Sequence, residues 1–229
     1  MATLVIAHRG ASAEKPENTL AAFRRALALK VDGIELDVQV TADGVPVVFH
    51  DAHLRRLTGQ SGRLANQTWR GLKKLRVSDI EPIPRLAEVL SLVRGRAIVQ
   101  IEMKCGTTVT PVVRAIRRAR AVRWVILASF EATLVRAARK IAPEIPRMLI
   151  SGGRGDVKYL LRRMAAAGAS GLSLNHQTVR NRAMARAIQA GGAALWCWTV
   201  NDDAIARRLA GWGVDAVVGD NPDLLRGAV

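Results

Sequence analysis

The sequence contains few cysteines and no long apolar run. Among its 229 residues are two cysteines, Cys105 and Cys197, which lie far apart and form no CxxC pair. We expect each to be a free, small, buried apolar residue in a reducing compartment, because a chain of this size needs no disulfide scaffold. No apolar run approaches the roughly 18 residues that span a bilayer, and no secretory signal is recognisable ahead of the first predicted strand. These absences predict a cytoplasmic protein with no stable insertion into a membrane.

Acidic and aromatic residues are also scarce. The chain has 19 Asp and Glu against 35 Lys and Arg, which gives a formal net charge of +16. Such a charge attracts phosphorylated substrates, nucleic acid or an anionic membrane surface. The arginines are spread through helix-like stretches, which favours solvated helix faces, and one Tyr and three Phe offer little for a base-stacking platform. We therefore expect a small-molecule substrate and no nucleic acid as partner.

Short apolar runs alternate with longer amphipathic stretches along the whole sequence. Such runs are expected for parallel strands that are buried on both faces. The predicted strands are 4–8, 33–40, 97–104, 124–129, 146–150, 171–174, 194–199 and 216–219. The predicted helices are 18–30, 85–94, 109–121, 131–141, 157–167, 180–190, 202–213 and 222–226. Gly168, Gly191 and Gly213 lie at or just past three helix ends, where a left-handed cap suits glycine.

The alternation of eight strands with eight helices predicts a parallel α/β fold. A TIM-type (β/α)₈ barrel, at about 250 residues, matches both the number of elements and the chain length. An open, doubly wound sheet is the alternative, but it usually has fewer strands and a glycine-rich phosphate loop. Neither GxGxxG nor GxxxxGK[ST] occurs in this chain. We expect residues 1–229 to form a single barrel domain.

One segment interrupts the alternation after the second predicted strand. Asp43-Gly44 separates two β-rich runs, which is the signal of a β-hairpin, and the second run ends at His50. The following residues, 51–83, contain three glycines and have weak periodicity. We interpret them as a short insertion on the catalytic face of the barrel.

Three acidic residues fall on the second and third predicted strands. Glu35 and Asp37 are two residues apart, so their side chains point the same way, and Glu102 lies on the neighbouring strand. Active residues of such barrels gather at the carboxyl ends of the strands. Three carboxylates there can hold one hard divalent cation, and without it they would repel one another and take up protons. The alternative is that each acid pairs separately with an arginine, for instance Arg9.

Histidines and cations stand beside these acids in the predicted barrel. His8 ends the first strand and His50 ends the hairpin arm, and imidazole exchanges protons near neutral pH, which suits general acid–base work. Arg9 and Lys104 supply positive charge for a phosphoryl group. Trp198 ends the seventh strand, where it either lies under a glycerol or quaternary ammonium group or fills the mouth of the barrel.

The residues also carry a resemblance to a known family. Six motifs occur in order: His8-Arg9-Gly10, Pro16-Glu17-Asn18-Thr19, Glu35-Leu36-Asp37-Val38, Asp43-Gly44-Val45-Pro46-Val47-Val48-Phe49-His50-Asp51, Ile101-Glu102-Met103-Lys104 and Trp198-Thr199-Val200-Asn201. With the closing stretch 213–222, they resemble the glycerophosphodiester phosphodiesterase family, in its short bacterial form, over nearly the whole chain. Any one motif is weak, but six in order with sensible spacing are specific.

The resemblance implies a TIM-type barrel with a short insertion after the second strand. It implies hydrolysis of glycerophosphodiesters to glycerol 3-phosphate and an alcohol. The implied site residues are His8 and His50 as the acid–base pair, Glu35, Asp37 and Glu102 as ligands to one Mg²⁺ or Ca²⁺ ion, and Arg9 and Lys104 near the phosphate. Residues 61–83 are basic and depart from the usual pattern of the family, and they would shape the entrance to the site.

Three other functions are consistent with parts of the sequence. A related phosphodiesterase acting on lysophospholipid or sphingomyelin head groups would use similar residues, but apolar loops for a membrane interface are not evident. A non-catalytic binder of phosphate esters or nucleic acid would suit the net charge of +16 but not the acids and histidines. A barrel enzyme of another chemistry, such as a sugar-phosphate isomerase, shares the fold but has no clear need for this set of residues.

Overall fold

The computed structural model describes residues 2–153 and 155–229, and its main elements are eight strands and eight helices. The strands are β1 (Leu4–His8), β2 (Gly33–Val40), β3 (Ile98–Met103), β4 (Val125–Ser129), β5 (Arg147–Ser151), β6 (Gly171–Asn175), β7 (Ala194–Trp198) and β8 (Ala216–Gly219). The helices are α1 (Leu20–Ala28), α2 (Leu86–Val93), α3 (Val109–Arg118), α4 (Ala132–Ile141), α5 (Val157–Ala167), α6 (Arg182–Ala190), α7 (Asp203–Trp212) and α8 (Pro222–Ala228). Short 3₁₀ helices at Gly106–Thr108 and Val122–Trp124 precede α3 and β4.

The eight strands close into a parallel barrel. Each strand pairs with its sequence neighbours, and β1 pairs in parallel with both β2 and β8, which closes the ring. The predicted TIM-type (β/α)₈ fold is therefore confirmed. The register places His8 of β1 opposite Glu35 of β2, and Asp37 of β2 opposite Glu102 of β3. Strand pairing alone thus brings these four side chains to one sector of the barrel.

Side-chain alternation divides the core into an outer and an inner layer. On β2, Ile34, Leu36 and Val38 belong to the large apolar cluster between strands and helices. Because successive side chains of a strand point to opposite faces, Glu35 and Asp37 face the barrel interior. The interior itself is mostly apolar, with a small cluster built from Ile6, Ala128, Met148, Ile150, Trp196, Ala216 and Val218. The acids therefore lie at the end of a mostly apolar barrel interior and not in a polar channel.

Helix and strand boundaries agree with the predictions to within about three residues, and the differences have local causes. The helix predicted from residue 18 begins at Leu20, because Asn18 has a left-handed backbone (φ 59°) and Thr19 is the N-cap that accepts from the Ala22 amide. Gly168 and Gly213 adopt left-handed caps as predicted. Gly191 does not, with φ −76°, and its neighbour Gly192 takes the left-handed conformation instead.

The hairpin and the insertion after β2 are both present. Pro46–Val48 pairs antiparallel with β2, and Gly44 occupies the turn with φ 80°. Beyond His50, residues 51–83 form the helices Arg55–Thr58 and Trp69–Leu72, a 3₁₀ turn at Leu64–Asn66 and the strand pair Arg76–Val77 with Glu81–Pro82. These short elements share a separate apolar cluster made of Val47, Phe49, Leu54, Leu57, Leu64, Leu72, Val77 and Ile83. Elements of two to four residues are too short to show periodicity in the sequence.

The two cysteines differ in environment. Cys197 is buried on β7 as predicted, and burial raises the pKa of its thiol to about 12. Cys105, just past β3, is only half-buried, so the expectation of a buried residue is wrong there. Among the helices of residues 2–153 and 155–229, none combines the length and apolar character that crossing a bilayer requires.

Candidate active site

Three buried carboxylates meet at the carboxyl ends of β2 and β3. One oxygen each of Glu35, Asp37 and Glu102 lies within 4.8 Å of the other two. The cause is the strand register, which sets Asp37 directly beside Glu102, with Glu35 two residues back on the same face. Oxygen ligands at this spacing fit a hard divalent cation. The sequence prediction that these three acids converge is therefore confirmed, and their oxygen-only donor set fits Mg²⁺ or Ca²⁺.

Two cations contact the acids. Lys104 Nζ lies 2.7 Å from Glu102 Oε1 and 3.1 Å from Asp37 Oδ1. Arg9 Nε lies 3.3 Å from Asp37 Oδ2 but is buried without an acceptor in hydrogen-bond geometry among the described residues. Separate pairing of each acid with an arginine is therefore not what the structure shows. Three carboxylates face two fixed cations, and one added divalent ion would leave a single positive charge to meet a phosphodiester.

The protonation of the acids reflects this crowding. Burial and the neighbouring Asp37 carboxylate raise the pKa of Glu35, and the same two causes raise the pKa of Glu102. Burial opposes ionisation of Asp37 too, but Lys104 and Arg9 outweigh it and hold the pKa of that carboxyl below its usual range. Without a metal the cluster therefore retains protons that a bound cation would release.

His8 lies at the end of β1 with a carboxylate behind its ring. Its Nδ1 is 2.6 Å from Asp220 Oδ1, while Nε2 is 3.9 Å from Glu35 Oε2. Burial lowers the pKa of His8, but the hydrogen bond with Asp220 and the charge of Glu35 outweigh it, and the pKa is raised. The same bond lowers the pKa of Asp220 to about 2, against the effect of burial. A carboxylate on Nδ1 directs Nε2 toward the acids.

His50 repeats this arrangement on the other side of the site. Its Nδ1 lies 2.7 Å from Asp51 Oδ1, the carboxylate of the next residue. The side-chain amide of Gln39 donates to the carbonyl oxygens of Phe49, His50 and Asp51, at 3.1, 3.1 and 2.6 Å. The backbone that carries His50 is thereby tied to β2. Both histidines therefore have one ring nitrogen fixed by an aspartate and the other available.

A cavity of about 120 Å³ connects these groups. Its lining includes six of the eight predicted site residues, namely His8, Arg9, Glu35, His50, Glu102 and Trp198. The other two, Asp37 and Lys104, contact Glu102 or each other behind that lining. His53 and His176 are not among the lining residues.

Trp198 forms an aromatic wall of this cavity together with Phe130. The two rings meet edge to face with centroids 5.6 Å apart, and the indole N–H donates to the Ser173 carbonyl at 3.0 Å. Phe130 remains nearly half exposed, at 45%. The indole is thus held in the barrel mouth while its neighbour faces the solvent. Trp198 therefore fills part of the barrel mouth and also lines the cavity, and its contact with a glycerol or quaternary ammonium group stays a prediction.

Sequence reasoning missed the residues that support the site. Asn18 donates to Asp37 Oδ2 at 2.8 Å, and Asp220 and Asp51 hold the two histidines. Each stands within one of the family-like stretches but on a loop, where no periodicity marks its direction. Asp220 could have been predicted from its position, because it directly follows β8 and therefore lies at the carboxyl end of the barrel strands. Glu17 also lies in one of the quoted motifs, whereas Arg56, which contacts both Glu17 and Asp51, carried no such signal.

A larger cavity of about 760 Å³ lies outside the barrel, along α2 and α3. Arginines such as Arg85, Arg94, Arg114 and Arg118 line it, and its lining contains no Asp, Glu or His. Size alone would favour this cavity, but acid–base or metal chemistry needs groups that it does not have. The smaller cavity at the strand ends is therefore the candidate active site.

Known proteins resemble this chain in sequence and in overall fold. The model of the glycerophosphoryl diester phosphodiesterase family matches residues 8–224. A glycerophosphodiester phosphodiesterase of Caldanaerobacter subterraneus subsp. tengcongensis is 35% identical over 239 aligned positions, covering 98% of this chain and 97% of that protein. The structure of a glycerophosphodiester phosphodiesterase from Agrobacterium tumefaciens is 30% identical with a TM-score of 0.87, covering 98% of this chain and 99% of that one. An Oleispira antarctica phosphodiesterase in complex with the product sn-glycerol-3-phosphate is 27% identical with a TM-score of 0.91, over 99% and 96% of the two chains.

Proposed function

Because this chain belongs to the glycerophosphoryl diester phosphodiesterase family and is an enzyme that hydrolyses glycerophosphodiesters, we propose that it uses His8 and His50 as an acid–base pair beside a divalent-cation site. The products are glycerol 3-phosphate and an alcohol. The observation that carries the proposal is that two histidines, each fixed through Nδ1 by an aspartate, line one cavity with Glu35 and Glu102 of the buried acid cluster. Neither a phosphate binder nor a barrel scaffold needs this arrangement.

Glu35, Asp37 and Glu102 are the residues that would hold the cation. A bound Mg²⁺ or Ca²⁺ ion supplies positive charge that offsets the charge developing on the phosphoryl oxygens. Arg9 and Lys104 add fixed positive charge at the same place, Arg9 with its planar fork and Lys104 as a point charge. Lys104 also offsets part of the repulsion between Asp37 and Glu102, because its ammonium contacts both carboxylates. The protein thus provides both the binding of the phosphate and the neutralisation of its charge.

The two histidines exchange protons with the attacking and departing oxygens. One takes a proton from the nucleophile while the other protonates the leaving alkoxide, and each contributes on the order of 10²–10⁴ in rate. Asp220 and Asp51 stabilise the imidazolium that forms on their partner and keep Nε2 toward the cavity. The nucleophile is either water, or the 2-hydroxyl of the glycerol moiety, which releases the alcohol and forms a cyclic glycerophosphate that water then opens to glycerol 3-phosphate. Accumulation of a cyclic glycerophosphate in His8→Ala or His50→Ala under single turnover distinguishes the second route from the first.

The shape of the cavity suggests which substrates enter. A space of about 120 Å³ is small, so we propose that it takes the glycerol unit with its phosphate, and that the alcohol extends past Trp198 and the half-exposed Phe130 toward the solvent. Faces of aromatic rings attract quaternary ammonium groups, so we propose that Trp198 contacts glycerol or a choline leaving group. We also propose that residues 1–229 form one domain that includes the insertion 51–83. The enzyme would act in the cytoplasm, on glycerophosphodiesters that are free in solution.

The test is release of glycerol 3-phosphate from glycerophosphocholine by the purified protein. We expect release with Mg²⁺ or Ca²⁺, none with EDTA, and a loss of about 10²–10⁴ in kcat for His8→Ala and for His50→Ala. His53→Ala is the matched control, since His53 is exposed and lies outside the cavity lining. Equal activity in His8→Ala and His53→Ala would contradict the acid–base assignment, and full activity in EDTA would contradict the cation.

A further inference from the structure

Arg56 of the insertion bridges two carboxylates that belong to different parts of the site. It lies on the short helix Arg55–Thr58. Its Nε and Nη2 donate to the two oxygens of Asp51 at 2.6 and 2.8 Å. Its Nη1 and Nη2 donate to the two oxygens of Glu17 at 2.9 Å each. One guanidinium therefore makes four charge-assisted hydrogen bonds, two to each carboxylate.

Each of these carboxylates in turn holds a residue that lines the cavity. Asp51 Oδ1 lies 2.7 Å from His50 Nδ1. Glu17 Oε1 accepts from Arg9 Nη1 at 2.8 Å. The contacts therefore form one continuous chain from His50 through Asp51, Arg56 and Glu17 to Arg9, and Arg56 is its midpoint.

We propose that Arg56 is a positioning residue that fixes His50 and Arg9 relative to each other, so that the insertion completes the active site. The proposal rests on the roles of His50 and Arg9 in the proposed function. Without Arg56, the carboxylates of Asp51 and Glu17 lose their common partner and each can turn with the side chain it holds. A displacement of about 1 Å at a reacting group is enough to reduce the rate about 10²-fold.

The same bridge is weak as a source of stability. The Arg56 side chain is 48% exposed, and ion pairs in such positions contribute little to stability. The apolar cluster around Leu54, Leu57 and Phe49 holds the insertion in place independently of Arg56. Positioning and structural roles therefore predict different results, because only the first predicts a large loss of turnover with little loss of stability.

The planar fork of arginine matters for this role. A lysine at position 56 would keep the charge, but a single ammonium cannot meet four oxygens of two carboxylates at once. Arg56→Lys is accordingly a stricter test than Arg56→Gln, because it removes the planar fork but keeps the charge. Arg55 provides the matched control, since it lies on the same short helix, is exposed and forms no ion pair with a carboxylate of the described chain.

The experiment compares Arg56→Gln, Arg56→Lys and Arg55→Gln with the wild-type protein on glycerophosphocholine. For both Arg56 variants we expect kcat to fall about 10- to 100-fold, with melting temperatures within about 4 °C of wild type. Arg55→Gln should stay within about twofold of wild-type kcat. Wild-type kcat in Arg56→Gln or in Arg56→Lys would overturn the proposal, as would a loss in Arg55→Gln equal to that in Arg56→Gln.

A second measurement does not depend on turnover. In ¹H–¹⁵N spectra of the histidine rings, Arg56→Gln should shift the ring signals of His50, identified by their absence in His50→Ala, and leave those of His176 in place. Unchanged His50 signals would overturn the positioning role. A wild-type protein inactive on every glycerophosphodiester would refute the proposed function, while this spectrum would still decide whether Arg56 holds His50.

Discussion

Replacing Asp220 by asparagine tests how His8 is activated. Asp220 accepts from His8 Nδ1 at 2.6 Å, and Ser12 and Asn201 also contact its carboxylate. An asparagine keeps the size of the side chain but removes the charge, and its amide can present a donor where the imidazole also donates. The variant therefore loses a charge-assisted hydrogen bond and the preference for the productive orientation of the ring.

The expected loss follows from the strength of that contact. A hydrogen bond to a charged group contributes about 1.5–3 kcal/mol, and about 1.4 kcal/mol corresponds to a factor of ten. We expect kcat/KM for glycerophosphocholine to fall about 10- to 100-fold in Asp220→Asn, less than on removal of His8 itself, which costs about 10²–10⁴. Asp223→Asn is the control, because Asp223 is exposed three residues further along and undergoes the same charge change.

The pH dependence of the rate is an independent test of the contact between Asp220 and His8. Burial lowers the pKa of His8 and the bond to Asp220 raises it, so the variant keeps the first effect and loses the second. The limb of the pH–rate profile that His8 governs should therefore move to lower pH. The stabilising pair exists above the pKa of about 2 of Asp220 and below the raised pKa of His8. A kcat/KM within about threefold of wild type, with unmoved limbs, would refute this account of His8.

Three further changes test other parts of the site. Asp37→Asn should weaken Ca²⁺ or Mg²⁺ binding at least about tenfold in a calorimetric titration, and unchanged affinity would contradict the cation site. Trp198→Phe should raise KM for glycerophosphocholine, since the aromatic wall loses its indole, whereas unchanged KM for both the choline and the ethanolamine diester would rule out the contact. Gly10→Ala should destabilise the protein by about 1–3 kcal/mol in urea unfolding, because Gly10 has φ +83° and a Cβ there would lie 2.7 Å from Ala22 Cβ. An unfolding free energy equal to wild type would contradict that reasoning.

The barrel and its acid cluster could be predicted because both follow from periodicity. Eight buried strands alternating with helices leave few architectures, and a spacing of two residues on one strand fixes the relative direction of Glu35 and Asp37. The neighbouring strand then places Glu102 beside them. These inferences need only the repeat lengths of strands and helices and the rule that active residues lie at strand ends.

The supporting residues could not be predicted in this way, because loops have no period. Asn18 reaches Asp37 through a left-handed backbone of its own (φ 59°), which the sequence does not specify. Arg56 meets Glu17 across 39 residues of chain, at the contact between the insertion and the loop before α1. Such contacts depend on how two irregular segments pack together. The net charge of +16 hid them further, since one functional arginine among many exposed ones has no distinguishing pattern.

Because the three acids are crowded, we expect the stability of the metal-free protein to decrease as the pH rises. Burial raises the pKa of Glu35 and of Glu102, and Asp37 adds to the effect, so the folded protein binds protons that the unfolded chain releases. The stability that these protonated glutamates contribute is then fully present below the ordinary glutamate pKa of about 4.3 and declines as the pH rises toward the folded-state values. A cation on the three carboxylates would replace those protons and reduce the decline.

Urea unfolding at pH 5 and pH 7.5 measures this effect directly. In EDTA we expect the free energy of unfolding to fall between these two pH values, by up to about 1.4 kcal/mol for each pH unit of this interval that lies below a raised glutamate pKa. With saturating Ca²⁺ or Mg²⁺ the fall should be smaller. Glu35→Gln should flatten the EDTA curve, since an amide carries the missing proton permanently, whereas Glu88→Gln, on the outer helix α2 and half-exposed beside Arg85, should leave it unchanged. A wild-type protein whose stability in EDTA rises from pH 5 to pH 7.5 would show that the acids are already neutralised by Arg9 and Lys104, and that the cluster does not require a metal to ionise.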